Sequence, residues 1–240
     1  MTRTSLARLL LGPATGTAIA LAAVSPPMHA AADASIAAHM IQHLMLILVA
    51  APLLALGPPV RLAAAIIPVR VWRTVARRSA IRPGHAVVVA ISACLVHFVV
   101  VWAWHSPRLY EWAIASPVVH ALEHLSFVAT AYAFWLAVLG RRALGPGGAI
   151  LVLFVAAGQG TVLGALLTLA ETPWYAAHLP AGRGGSLTAL EDQQLAGLFM
   201  WVGGGLAYAG GALVMLARIV RQRPAPTRNI ATASAPGDSS

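Results

Sequence analysis

Residues 117–139 read PVVHALEHLSFVATAYAFWLAVL, a run with no arginine, lysine or aspartate, one glutamate, and two histidines four positions apart. About 20 apolar residues are enough to carry a helix across the hydrocarbon core of a bilayer. Working outward from this stretch, five more runs of comparable character lie at roughly 5–24, 40–58, 84–104, 148–170 and 194–217. The whole chain has 240 residues, 59% hydrophobic and 10% charged, with a mean hydropathy of +0.77. That balance excludes an ordinary soluble domain. The reading is an all-α, polytopic transmembrane helical bundle of about six spans. One integral-membrane domain covers 1–220, and the tail 221–240, rich in Ala, Pro, Ser and Thr, is disordered.

The charges orient the bundle. All 16 basic residues are arginine, against 7 acids, for a formal net charge of +9. A nucleic-acid binder would carry its basic residues on one face with polar or aromatic readers; here they sit in clusters between apolar runs. With the amino terminus inside, Arg3, Arg8, Arg61, Arg70, Arg73, Arg77, Arg78, Arg82, Arg141, Arg142, Arg218, Arg221, Arg223 and Arg228 fall inside. Only Arg108 and Arg183 fall outside. Arginine marks cytoplasmic loops, so both termini are expected to be cytoplasmic. Residues 59–83, with Trp72 among arginines, read as an interfacial helix on that side. Arg3 and Arg8 ahead of the first run and the small residues of 28–32 after it also fit a cleavable signal peptide; the first run is read as a retained span. Cys94, the single cysteine, lies in an apolar run and reads as packing.

Nine histidines are a surplus in so apolar a chain, and ionisable residues within a membrane point to function. His39 and His43 stand four apart at the outer start of the second span, and His120 and His124 do the same on the fourth. Positions i and i+4 share a helical face, so each pair can offer two imidazoles to one metal ion. His97, seven residues before the end of the third span, is expected at a similar depth, about 10 Å below the outer end. His85 lies at the inner end of the same span. His29, His105 and His178 fall in outer loops, where a solvated role is expected. Glu123 can orient an imidazole or bind metal directly. Met40, Met45 and Met200 lie near outer helix ends, and thioether with imidazole suits copper, particularly Cu(I). Asp192, in Glu191-Asp192-Gln193-Gln194, can serve helix α-dipole stabilisation or act as an outer ligand.

At these residues the chain resembles the CtaG family of membrane proteins associated with assembly of heme-copper cytochrome c oxidase. The resemblance is carried by Ala38-His39-Met40-Ile41-Gln42-His43-Leu44, Ala51-Pro52-Leu53-Leu54-Ala55-Leu56-Gly57, Trp104-His105-Ser106-Pro107-Arg108-Leu109-Tyr110, Ser116-Pro117 through His120-Ala121-Leu122-Glu123-His124, and residues 191–201. It covers most of 25–217 in order. It implies that His39, His43, His120 and His124 are the family's characteristic histidines, with His97, His105, Glu123 and Asp192 as further matches. Family members usually carry another hydrophobic segment ahead of the first one here, which favours retention of residues 1–32. The resemblance further implies a multi-pass protein of a bacterial inner membrane, with lipid, cytochrome c oxidase subunits or another copper chaperone as partners.

Residues and resemblance together predict a non-enzymatic oxidase assembly factor holding or delivering copper at the outer face. The metal set is His39, His43, His97, His120 and His124, with Glu123, Asp192, Met40, Met200 and His105 as additional or supporting ligands. Two rivals remain open. His120-x-x-Glu123-His124 matches the inverted zinc-peptidase pattern, with Glu123 as base. A heme-binding electron carrier would use His97 opposite His43 or His124.

Overall fold

The computed structural model describes residues 3–57, 83–140, 144–175 and 187–222. Every regular element among the described residues is helical: α1 (Arg3–Ala23), α2 (Pro26–Ala34), α3 (Ile36–Leu44), a π-helical segment (Met45–Ala50), α4 (Ala51–Ala55), α5 (Pro83–Trp104), α6 (Pro107–Ala115), α7 (Pro117–Leu139), α8 (Gly145–Thr168) and α9 (Ala189–Gln222). The structure is a helical membrane bundle. Among the described residues, five stretches are long and apolar enough to cross a bilayer: Ile36–Ala55, Ala86–Trp104, Pro117–Leu139, Gly145–Thr168 and Ala189–Arg221. These are the second to sixth expected runs, shifted by a few residues. The first expected run falls within α1, of which Leu11–Ala23 is an apolar helix. The expected interfacial helix at 59–83 and the disordered tail lie, apart from their first or last residues, outside the described residues, as does His178.

Local chemistry starts these helices where the sequence changes character. Ser-Pro pairs precede α2, α6 and α7, with Pro26, Pro107 and Pro117 in the first turn. Proline suits that position because the N–H it lacks would have no intrahelical partner. The α9 start is a reciprocal cap: Thr188 N–H donates to Glu191 Oε2 at 2.7 Å and Glu191 N–H to Thr188 Oγ1 at 3.3 Å. At the opposite end of the bundle, Arg218 Nη1 donates to the Leu139 carbonyl at 2.9 Å, a cation on the negative end of α7.

In lipid, helices associate through close packing rather than through a hydrophobic driving force. The α8–α9 pair meets at Gly164, where a Cβ would come within 2.8 Å of the Gly197 carbonyl oxygen. Gly16 does the same for α1, since a Cβ there would lie 2.9 Å from the Ala50 carbonyl oxygen. Thus α1 lies tightly along the π segment and α4.

The π segment begins two residues after His43, and its origin can be traced to Pro52. Ala51 N–H bonds to the Leu46 carbonyl, five residues back. The next bond in that pattern would join residue 52 to the Ile47 carbonyl, but proline has no N–H. Trp135 Nε1 of α7 supplies the missing donor at 2.9 Å. A sequence-local defect is thereby turned into a bond between two helices, next to the histidines.

Candidate metal centre

Two helices supply the core of the site. On α3 the i, i+4 pair His39 and His43 projects toward α7, where His120, Glu123 and His124 occupy one face. All five are buried. Nitrogens of His39, His43 and His120 and a Glu123 carboxylate oxygen lie within 4.8 Å of one another. His39 Nε2 is 3.7 Å and His120 Nε2 3.9 Å from Glu123 Oε2, and His43 Nε2 is 3.6 Å from Oε1. These distances are too long for hydrogen bonds, and neither carboxylate oxygen has a hydrogen-bond partner. Bonds of about 2.0–2.1 Å in a tetrahedron would separate ligand atoms by roughly 3.3 Å. A small contraction around one ion would therefore satisfy all four groups. The residues fit a metal: three imidazoles and a carboxylate, buried, aimed at one point and not bonded to each other.

The other expected residues divide by position. His124 is beside the set rather than in it, its ring centroid 4.3 Å from His120 and 5.5 Å from His43. His105 lies 6.0 Å from His43; its Nδ1 bonds the Val101 carbonyl at 2.6 Å, so Nδ1 carries the proton and Nε2 is left as the lone pair. Burial lowers the pKa of His105, which keeps the ring neutral. Met40 and Met200 are buried and line a cavity of about 50 Å³ with His43 and His105.

Two expectations change. His97 is not brought into the set. Its rings of contact are Phe98 and Phe134, and its Nδ1 lies 3.1 Å from Thr130 Oγ1. Thr130 spends its proton on the Ser126 carbonyl, so His97 is the donor in that pair. Thr130 is seven residues past Glu123, about 10 Å deeper along α7. Depth counted from helix ends misplaces His97 because the ends are not level: Trp104, the last residue of α5, bonds Ser126 rather than the start of α7. Asp192 likewise lies outside the set. Its Oδ1 accepts from Ser35 Oγ at 2.7 Å and Ala37 N–H at 3.2 Å, and its Oδ2 from Ile36 N–H at 2.6 Å. It holds the amino end of α3, where unpaired N–H groups and the helix dipole favour an anion. Gln193 Oε1 accepts from Trp174 N–H, and Gln194 Nε2 donates to the Ala170 carbonyl. The acid-amide motif thus sets α3 and the 169–175 loop in place. Gln42, the polar residue of His-x-x-Gln-His, donates to the Ala23 carbonyl at 2.7 Å.

Sequence reasoning missed two neighbours. His29, expected in a solvated loop, lies on α2 with its ring 5.1 Å from His120 and 5.6 Å from His124. The Ser25-Pro26-Pro27 helix start, with His29 and Asp33 four apart behind it, was the available signal. Tyr110 of α6 closes the set from above, 5.1 Å from His39 and 4.0 Å from Tyr175. Burial, and then Tyr175, push its phenol well above the ordinary range, so it stays protonated. No spacing rule links Tyr110 or Tyr175 to the histidines.

A family model described as cytochrome c oxidase caa3 assembly factor (Caa3_CtaG) matches residues 13–222. The chain belongs to this family. No curated protein and no solved structure matches it. The Caa3_CtaG match runs from within α1 to the end of α9 and so contains every residue of the site.

Proposed function

We propose that this Caa3_CtaG member serves cytochrome c oxidase assembly by holding copper on His39, His43, His120 and Glu123 and passing it on. The observation that supports this most is the buried Glu123 carboxylate with both oxygens unbonded amid three imidazoles. An anion so placed is costly unless a positive charge faces it. The oxidase class that the family serves is a copper enzyme, which favours copper over zinc as the cargo. His97 and Asp192 have structural roles in this reading, whereas Met40 and Met200 offer softer thioether donors, and His105 a further imidazole, beside the set. Glu123 stands among the ligand atoms rather than behind an open position, which favours holding an ion over hydrolysis. A heme between His97 and His43 or His124 is disfavoured because His97 bonds Thr130 and packs on Phe98 and Phe134.

In the same reading α1 is the first of six crossings. Both termini then face the cytoplasm of a bacterial inner membrane, and the histidine end faces outward, where oxidase subunits or a copper donor would dock.

Protein purified in mild detergent should bind about one copper per chain. His43→Ala and His120→Ala should sharply weaken that binding while the protein still accumulates in the membrane. Lowering the pH should weaken binding, because protons compete for the imidazole lone pairs. Wild-type protein that ignores added copper would sink the proposal.

A further inference from the structure

The four groups of the inner set are buried, so an ion needs a way in. On the side of α7 that faces α2, a cavity of about 690 Å³ reaches His120 and His124. Its other walls come from α1, α2 and α6, and two further titratable residues, His29 and Asp33, line it. Asp33 is exposed, His29 half-buried, and His120 and His124 more than nine-tenths buried. The polar residues therefore run from the surface to the set in order of increasing burial, through walls that are otherwise apolar.

Three imidazoles meet at the floor of the cavity. The His29 ring is 5.1 Å from His120 and 5.6 Å from His124, and those two are 4.3 Å apart. Two imidazoles on one ion, with bonds of about 2.0–2.1 Å, place their centroids about 5 Å apart. His124 Nε2 is buried and has no hydrogen-bond partner, and it is not one of the four groups gathered around Glu123.

We propose that His29, His120 and His124, with Asp33 at the rim, form a second, transient metal-ion site through which the ion enters or leaves the inner set. The proposal rests on the reading that the inner set holds a metal. His120 belongs to both sites. The ion crosses by ligand exchange: bonds to His29 and His124 break as bonds to His39, His43 and Glu123 form, while His120 stays attached. No electron or proton is transferred in this step, and the ligands are the borderline donors that suit Cu and Zn alike.

The test uses the full chain in detergent with two probes: cobalt(II), followed by its visible absorption, and copper(I), followed by competition with a chromophoric chelator. His29→Ala should leave the final stoichiometry unchanged and slow both loading and chelator-driven release by about tenfold or more. Asp33→Asn should slow loading less. In the double variant His43→Ala/Glu123→Ala, weak residual binding should persist and should vanish when His29→Ala is added. Unchanged loading and release rates in His29→Ala, with the wild-type ion still lost in His43→Ala, would overturn the transfer site and leave the inner site standing. Wild-type affinity in the double variant, abolished by His29→Ala alone, would instead overturn the inner site as the place where the ion rests. His29→Gln, which keeps the volume and polarity of the ring but is a poor ligand, should behave as His29→Ala does; wild-type rates in it would overturn the proposal by assigning the effect of alanine to lost packing.

Discussion

Glu123 and His97 make the sharpest contrast between buried side chains of the bundle. Both are buried ionisable residues of the bundle, yet Glu123 has no hydrogen-bonded partner and His97 has Thr130. Glu123→Gln keeps the shape of the side chain but removes the charge that an ion would balance. Its metal affinity is therefore expected to fall by well over the 10- to 100-fold typical of groups that only orient a ligand. Removing His97 deletes one hydrogen bond and leaves a gap against Phe134. His97→Ala should lower thermal stability by about 1–3 kcal/mol and leave metal stoichiometry at the wild-type value. Metal titration and thermal unfolding of the two variants, run in parallel, would check both statements; loss of the metal in His97→Ala would return that residue to the ligand set. His39, His43, His120 and His124 were legible from spacing alone because the i, i+4 rule acts within one helix. The positions of His97 and His29 relative to that face were not legible, because they depend on how separate helices align.

At the scale of elements, α3 is the part that must be held still. It is only nine residues long and carries His39 and His43 of the candidate set. Its amino end is bonded by Asp192 and Ser35, and its carboxyl end runs into the π segment, where Trp135 bonds the Ile47 carbonyl. Asp192→Ala removes three accepted hydrogen bonds at one helix end. A charged cap of this kind contributes about 1–2 kcal/mol, so Asp192→Ala should lower thermal stability by that amount. It should also weaken metal binding, with no change in which metal is bound. Trp135→Phe keeps most of the packing and strands the Ile47 carbonyl in an apolar interior, at a cost of about 1 kcal/mol. Thermal unfolding with and without metal would measure both effects, and an unchanged metal affinity in Asp192→Ala would show that α3 is positioned by other contacts. The Ser-Pro starts and the Thr188-x-x-Glu191 cap were readable from the sequence, because they join residues within one turn. The π segment and the Asp192 bonds were not, because their partners lie 88 and more than 150 residues away.

For the whole molecule, the expected result is topological. Reporters fused near residues 33, 108 and 183 should be external, and those at both termini and within 59–83 cytoplasmic, as the arginine distribution requires. An external carboxyl terminus or a cytoplasmic residue 108 would reverse the side on which the metal set opens. Replacing Gly164 with leucine should separate α8 from α9 and reduce accumulation of folded protein, since its Cβ position is already filled by the Gly197 carbonyl. Hydropathy, arginine placement and helical spacing by themselves determined that this chain is a multi-helix membrane bundle, where its long spans lie, and that paired histidines on two of them share a face. They could do so because span length and helical periodicity are local properties of a chain in lipid. Tertiary structure alone decided that Glu123 sits at the centre of three imidazoles, that Asp192 holds a helix, that His97 is too deep, and that His29 joins the cluster. Those outcomes depend on the relative heights of packed helices, set by the Trp104–Ser126 bond, the insertion of α6 and the close glycine contacts, and no periodicity within one segment encodes them.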